Sequence, residues 1–284
     1  MLDPDVLRLG TSDRMRDVLV LLPPSEGKTA PRRGKPLDLD TLSFPGLTST
    51  REDVLDALVS LASSSLASSP PARALEVLGL SPRQTDEVVR DAQLASAPTA
   101  AASAIYSGVL YDALDLASLD AASKRRAQRS VVIASALFGA LRLGDRIPAY
   151  RLSGDVSLPG IGPLATAWRD PLALAMTEAA GRGLVVDLRS GTYAAMWRPT
   201  GAVASRTVAV RVLQQMPDGS RKVVSHFNKA TKGRLLRHWL ETAADPRDAD
   251  DLADACASMG VVVELGEKPR AGTARRLDVV VTDL

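Results

Sequence analysis

Three kinds of hydrophobic pattern run along this chain. Continuous apolar runs, "VLVLL" (Val18–Leu22) and "GLVVDL" (Gly183–Leu188), predict strands buried on both faces. "SVVIASALFGALRLGD" opens the same way at Val131 and is expected to turn into a short helix or loop near Ala136. Alternation in "TVAVRVLQQ", followed by "MPDGSR" and "KVVSHF", predicts a β-hairpin on a Pro-Asp-Gly turn. A second pairing joins "VVVEL" to "RRLDVVVTD" near the end. Helical spacing appears at Val54, Leu55, Leu58, Leu61 and Ala62, predicting a helix over 51–66. Further helices are expected over 72–104, broken at "GLSPRQ" and Pro98, and over 163–181. A basic helix (Lys229–Leu240) and an acidic one (Ala249–Met259) follow. "PPSEGKTAPRRGKPLDLD" is a long polar loop, and "SSSLASSPP" a surface connection. Strands and helices interleave without a strict βαβ rhythm. They predict a single α/β domain over 17–284 with a mixed or antiparallel sheet. Residues 1–16 are polar and unpatterned, which predicts a flexible tail, with Met15 a candidate start.

Composition narrows the class. Of 284 residues, 45% are hydrophobic and 24% charged, an ordinary globular balance, and a net charge of +2 implies no partner by itself. Its distribution says more. Arg206 to Arg237 holds eight Lys/Arg against Asp218, and Lys124 to Arg151 holds seven against Asp145. Glu241 to Glu267 holds eight acids against Arg247. Such blocks make surfaces of one sign or simply solvated faces. One cysteine, Cys256, excludes an internal disulfide framework, and with only His226 and His238 no metal site is expected. No apolar run approaches the ~20 residues of a membrane span, and no signal peptide is visible. A reduced, cytoplasmic protein is expected, with a monomer the simplest state.

Several segments carry candidate chemistry. In "LPGIGPLATAW" the turn at Gly160 and Gly162 opens a helix, as in the second half of a helix-hairpin-helix, where free amides receive a DNA phosphate. The preceding "YRLSGDVSLPG" reads as strand or loop, so a tight turn in front of a helix fits equally. "PPSEGKT" ends like a P-loop but lacks the leading glycine and the following helix, so no nucleotide cofactor is expected there. Lys28 can still meet a phosphate as a point charge. "ALFGALRLGDRIPAYRL" gathers Arg142, Arg146, Tyr150 and Arg151 around an irregular turn, either a packed turn or a phosphate-binding cluster. In "SHFNKATKGRLLRHWL" the apolar face is Leu235, Leu236, Trp239 and Leu240, with Arg234, Arg237 and His238 opposite. Lys232 falls on the apolar side, so either its stem snorkels or it faces an internal polar cleft. "DLRSGTY" (Asp187–Tyr193) sits at a strand end. No serine or cysteine nucleophile motif accompanies either histidine.

At these same segments the chain resembles the YaaA family of peroxide-stress proteins. Its Ser-Pro-Ala-Lys-Thr-like segment is matched by "PPSEGKT", carrying Lys28. Gly-Leu-Tyr-Gly-x-Leu-Arg-Pro-x-Asp and Tyr-Arg-Leu-Glu are matched by "ALFGALRLGD" and "YRLS", carrying Arg142, Asp145, Tyr150 and Arg151. "DLRSGTY" carries Ser190 and Tyr193; "SHFNKATKG" carries Lys229, Gly233 and, where the family has arginine, Lys232. Ser153, Thr192 and Leu143 depart from the family's Glu, Glu and Pro. The resemblance implies one α/β domain of unusual topology with a positively charged cleft and a helix-hairpin-helix-like element. It also implies double-stranded DNA binding and a role in limiting oxidative damage.

Two functions follow as expectations. The first is a non-catalytic DNA-binding protein without cofactor, meeting phosphates through Lys28, Arg142, Arg151, Lys229 and Lys232. Tyr150, Ser190, Tyr193, Arg234, Arg237 and the Gly160–Gly162 turn complete its candidate surface. The second is an enzyme acting on a nucleotide or other phosphorylated small molecule in the same cleft.

Overall fold

The computed structural model describes residues 18–67, 69–223, 225–268, 270 and 272–281. The expected tail over 1–16 and the candidate start at Met15 lie outside them.

Eight strands form one sheet. They are β1 (Leu19–Leu22), β2 (Val131–Ser135), β3 (Gly139–Arg142), β4 (Val185–Asp187), β5 (Thr207–Gln215), β6 (Arg221–Lys222), β7 (Val262–Leu265) and β8 (Arg275–Val281). Their order is β7-β8-β5-β4-β1-β2-β3, with β6 added to the far end of β5. Five neighbours, β8, β5, β4, β1 and β2, run parallel, while β3, β6 and β7 are antiparallel. The sheet is therefore mixed. All nine residues of β1 and β2 are buried, as central parallel strands covered on both faces require.

The covering helices are α1 (Thr48–Ser65), α2 (Thr85–Ala92), α3 (Val109–Leu114), α4 (Ala121–Ser130), α5 (Arg169–Ala179), α6 (Gly191–Met196), α7 (Ser225–Glu241) and α8 (Ala249–Ala257). Helix α1 buries Val54, Leu55, Leu58, Leu61 and Ala62, the spacing read from the sequence. Arg51 is buried with them, donating from Nε to the Phe138 carbonyl and from Nη2 to those of Ser43 and Ala140. No described helix is long and apolar enough to cross a membrane.

Two local expectations are corrected. The chain turns over 136–138, where a short helix or loop was expected, but then returns as β3, a strand paired back onto β2 that was not expected. Ser135 Oγ accepts the Phe138 amide at 2.9 Å, and Gly139 adopts φ 71°, together reversing the chain within four residues. A Cβ at Gly139 would meet the Trp168 ring at 2.6 Å, so that tight return needs glycine. The second correction concerns "KVVSHF". Strand β6 stops at Lys222 and α7 begins at Ser225, so the hairpin is shorter than the alternation predicts. Strand β5 is paired by β8 from Val208 to Gln214, and β4 takes its other edge only at Thr207–Ala209. Between β4 and β6 that edge of β5 pairs with no described strand.

Candidate functional site

The strand order reverses next to β1. The chain lays β2 and β3 on one side of β1, then crosses to place β4, β5 and β8 on the other. Loops leaving the carboxyl ends of β1 and β4 therefore part from each other. In open α/β sheets this divergence is where a ligand crevice forms. Here it holds a cleft of about 570 Å³. Pro23, Pro24 and Glu26 enter it from the β1 loop, Leu188 to Tyr193 from the loop after β4 and the start of α6, and Val210 and Arg211 from the open edge of β5. Asn228, Lys229 and Lys232 come down from α7.

Helix α7 is pinned so that these three side chains face the cleft. Leu235, Leu236, Trp239 and Leu240 are buried beneath it. Gly233 lets it close onto α3, since a Cβ there would lie 2.3 Å from the Leu110 carbonyl oxygen. Lys232, one turn before Leu236, is consequently buried, and its Nζ donates to the Leu188 carbonyl at 2.9 Å. Burial pulls its pKa down to about 8 against the opposing field of Asp187. Lys229 lies one turn away and is exposed.

The β4 end of the cleft is held by a buried ion pair. Arg189 donates from Nε and Nη2 to the two Asp187 oxygens at 2.9 and 2.7 Å. Its remaining donors reach the carbonyls of Tyr193 and Trp197, at 3.2 and 2.9 Å, fixing α6. Burial raises the Asp187 pKa, but Arg189 outweighs it and holds the carboxyl below its usual range. Burial pushes the Tyr193 hydroxyl up to about 12, so it stays a neutral donor. At the β5 edge Arg211 is held in a two-point pair by Asp278, at 2.9 and 2.7 Å.

A second polar cluster lies behind the β1 loop. Tyr150 is buried, its hydroxyl 2.9 Å from that of Tyr106 and 2.8 Å from Ser135 Oγ. Lys28 Nζ sits 4.1 Å from the centre of the Tyr150 ring and donates to the Ser25 carbonyl at 2.9 Å. Burial first, and then the Arg151 charge, lower its pKa to about 7. Arg151 links this cluster to the cleft, pairing with Glu26 at 3.0 Å. Its backbone amide donates to Asp91 Oδ1 at 2.8 Å. Asp91 is fully buried, its Oδ2 has no hydrogen-bond partner among the described residues, and burial raises its pKa to about 8.

The residues singled out in the sequence thus separate. Ser190, Tyr193, Lys229 and Lys232 line one cleft, and Lys28 and Arg151 adjoin it through Glu26. Arg142 lies at the sheet edge, donating to the Arg129 carbonyl at 2.7 Å and covering the Phe44 ring. Arg237 caps the end of α3 through the Leu114 and Asp115 carbonyls, while Arg234 is exposed and outside the cleft. Gly160 and Gly162, at φ 80° and 83°, turn a two-residue hairpin (Ser157–Leu158 with Gly162–Pro163) ahead of the short helix Leu164–Ala167. The Leu164 amide there donates to the Val156 carbonyl at 3.1 Å, so it is not free for a phosphate.

Asp187, Arg189, Arg211 and Asn228 were not singled out. Asn228 precedes Lys232 by four residues and so shares its helix face, a signal present in the sequence. No pattern announces that Arg189 folds back onto Asp187. Among the described residues no three His, Cys, Asp or Glu side chains come together as a metal site.

Comparison with known proteins adds what geometry alone does not. The family described as "Peroxide stress protein YaaA" matches residues 18–260. A UPF0246 protein of Streptomyces coelicolor is 52% identical over 267 residues, covering 94% of this chain and 100% of that protein. A UPF0246 protein of Corynebacterium efficiens is 44% identical over 252 residues, covering 88% and 96%. One from Corynebacterium glutamicum is 42% identical over 251 residues, covering 87% and 95%.

Proposed function

Because the chain belongs to the YaaA family of peroxide stress proteins, we propose that it serves that stress response by binding duplex DNA through phosphates at the mouth of the switch-point cleft. The observation that carries this reading is the pair Lys229 and Lys232, one helical turn apart on the cleft wall, with neither ammonium held in an ion pair among the described residues. The other cleft cations, Arg189 and Arg211, are each held by a carboxylate. Ser190 adds an exposed hydroxyl on the facing loop. Contacts of this kind recognise the backbone and leave base sequence unread.

Fluorescence anisotropy with a labelled duplex over a salt series tests it. Binding should weaken linearly on a log–log plot, with a slope of about −0.9 per phosphate neutralised. The Lys229→Ala/Lys232→Ala double variant should bind more weakly and lose about 2 from that slope. Salt-independent binding, or an unchanged slope in the double variant, would sink the reading.

A second reading, a phosphorylated small molecule bound or turned over in the same cleft, is favoured by one observation. The cleft lies at the carboxyl ends of parallel strands where the sheet order reverses.

A further inference from the structure

Phosphate recognition explains the lysines of the cleft and leaves much of its interior without a role. Asn228 stands one turn before Lys232 on α7 and lines the same cleft. Its Oδ1 is buried and has no hydrogen-bond partner among the described residues. A buried carbonyl oxygen of this kind calls for an N–H or O–H donor, which a phosphate at neutral pH does not supply well. Pro23, Pro24, Leu110 and Val210 give the cleft an apolar lining. At about 570 Å³ it falls within the range that holds a whole small ligand. Carboxylates also reach it, from Glu26 and Asp155. Such carboxylates accept hydroxyls, Glu26 while paired with Arg151.

We propose that the cleft seats a single nucleotide unit, with its phosphate on Lys229 and Lys232, its base against the apolar lining, and a base N–H donating to Asn228 Oδ1. The proposal rests on the reading of the cleft as a phosphate site. A sugar phosphate has no flat apolar face to cover the prolines and Leu110. An intact duplex offers its backbone and keeps its base faces stacked inside. A nucleotide carries all three features at once: anion, planar apolar face and hydrogen donors. It can come from two sources, a free nucleoside monophosphate or the unpaired 5′ end of a strand.

Calorimetric titration of the full chain decides the matter. The probes are the four common nucleoside 5′-monophosphates, ribose 5-phosphate, and a 5′-phosphorylated single-stranded oligonucleotide. At least one nucleotide should bind at one site, about tenfold or more tighter than ribose 5-phosphate, a ratio equal to about 1.4 kcal/mol. Asn228→Ala should erase most of that ratio while leaving ribose 5-phosphate binding unchanged. Lys229→Ala/Lys232→Ala should weaken both. Tighter binding of the oligonucleotide than of the free nucleotide identifies a strand end as the source, and the reverse identifies the free metabolite. The proposal is overturned if no nucleotide outperforms ribose 5-phosphate, or if Asn228→Ala leaves the ratio intact. Duplex binding that still depends on Lys229 and Lys232 would then leave the DNA reading standing. Loss of duplex and ribose 5-phosphate binding alike would remove the phosphate site itself.

Discussion

The ammonium of Lys232 is tethered to the carbonyl oxygen of Leu188, 2.9 Å away, which ties α7 to the loop leaving β4. Burial makes the charged form costly, and the pKa falls to about 8. Phosphate attraction therefore needs a proton that Lys232 sheds as pH rises through 8. Affinity for a phosphate-bearing ligand should decline from pH 7 to pH 9.5, by up to about tenfold per unit above the free protein's pKa. Lys232→Arg keeps its charge across this range and should flatten the curve. Anisotropy titrations at four pH values in constant salt measure this. A wild-type curve as flat as that of the variant would contradict a lowered pKa.

The Asp187–Arg189 pair closes the same end of the cleft from inside, with 11% and 4% of the two side chains exposed. Removing the cation alone strands a buried carboxylate. Arg189→Met should therefore cost about 3–5 kcal/mol of stability, whereas Asp187→Leu/Arg189→Met should recover most of that loss. Urea unfolding of the two variants beside wild type gives the comparison. Tyr193 and Trp197 lose a donor to their carbonyls in both variants. A double variant with wild-type stability and weakened ligand binding would then show that Arg189 acts by positioning α6.

Much of this architecture is legible in the chain because burial leaves a periodic trace. Strands β1, β2 and β4 read as apolar runs since helices cover both their faces. Strands β7 and β8 pair as the sequence indicates, Val262 with Val280 through Leu265 with Leu277. Lys232 stands out because a lysine at an apolar helix position needs a reason. Interactions set by tertiary geometry leave no such trace. Strand β3 depends on a reversal that the Trp168 ring and Gly139 create together, 29 residues apart in sequence. Tyr150 reads as part of a basic surface cluster, yet it turns inward to Tyr106 and Ser135. Arg142 and Arg237 read as free cations, yet their guanidiniums reach backbone carbonyls.

Gly233 sits where α7 crosses α3. A Cβ would lie 2.3 Å from Leu110 O and 3.0 Å from both Ala113 Cβ and Leu114 N. Backbone atoms cannot swing aside as a side-chain tip can, so Gly233→Ala must move one helix. The clash costs about 1–3 kcal/mol, offset by up to about 1 kcal/mol of helix propensity. Tm should fall by several degrees. Because Lys229 and Lys232 ride on α7, ligand affinity should fall too. A variant at least as stable as wild type, seen by differential scanning calorimetry, would refute the close crossing.

Asp91 gives the last prediction, through its unpartnered Oδ2. Its Oδ1 receives the Arg151 amide, but burial dominates and raises the pKa to about 8. In the unfolded chain the same carboxyl ionises near pH 4. Between these values the folded state holds one proton more, so this group's contribution to stability declines as pH rises from about 4 to 8 and is level above. Lys28, lowered to about 7, acts in the opposite sense, since its unfolded form holds the extra proton from about 7 to 10.5. Comparing Asp91→Asn with wild type isolates the carboxyl, because both proteins contain Lys28. Asparagine keeps an acceptor for the Arg151 amide and does not titrate. Its stability advantage should widen from pH 5 to pH 8, by on the order of 1 kcal/mol per pH unit, and then stop growing. Urea melts of both proteins at pH 5, 6.5, 8 and 9 trace that curve. A difference that stays constant would mean that Asp91 is ionised in the folded protein, and that Lys28 or Arg151 compensates its charge.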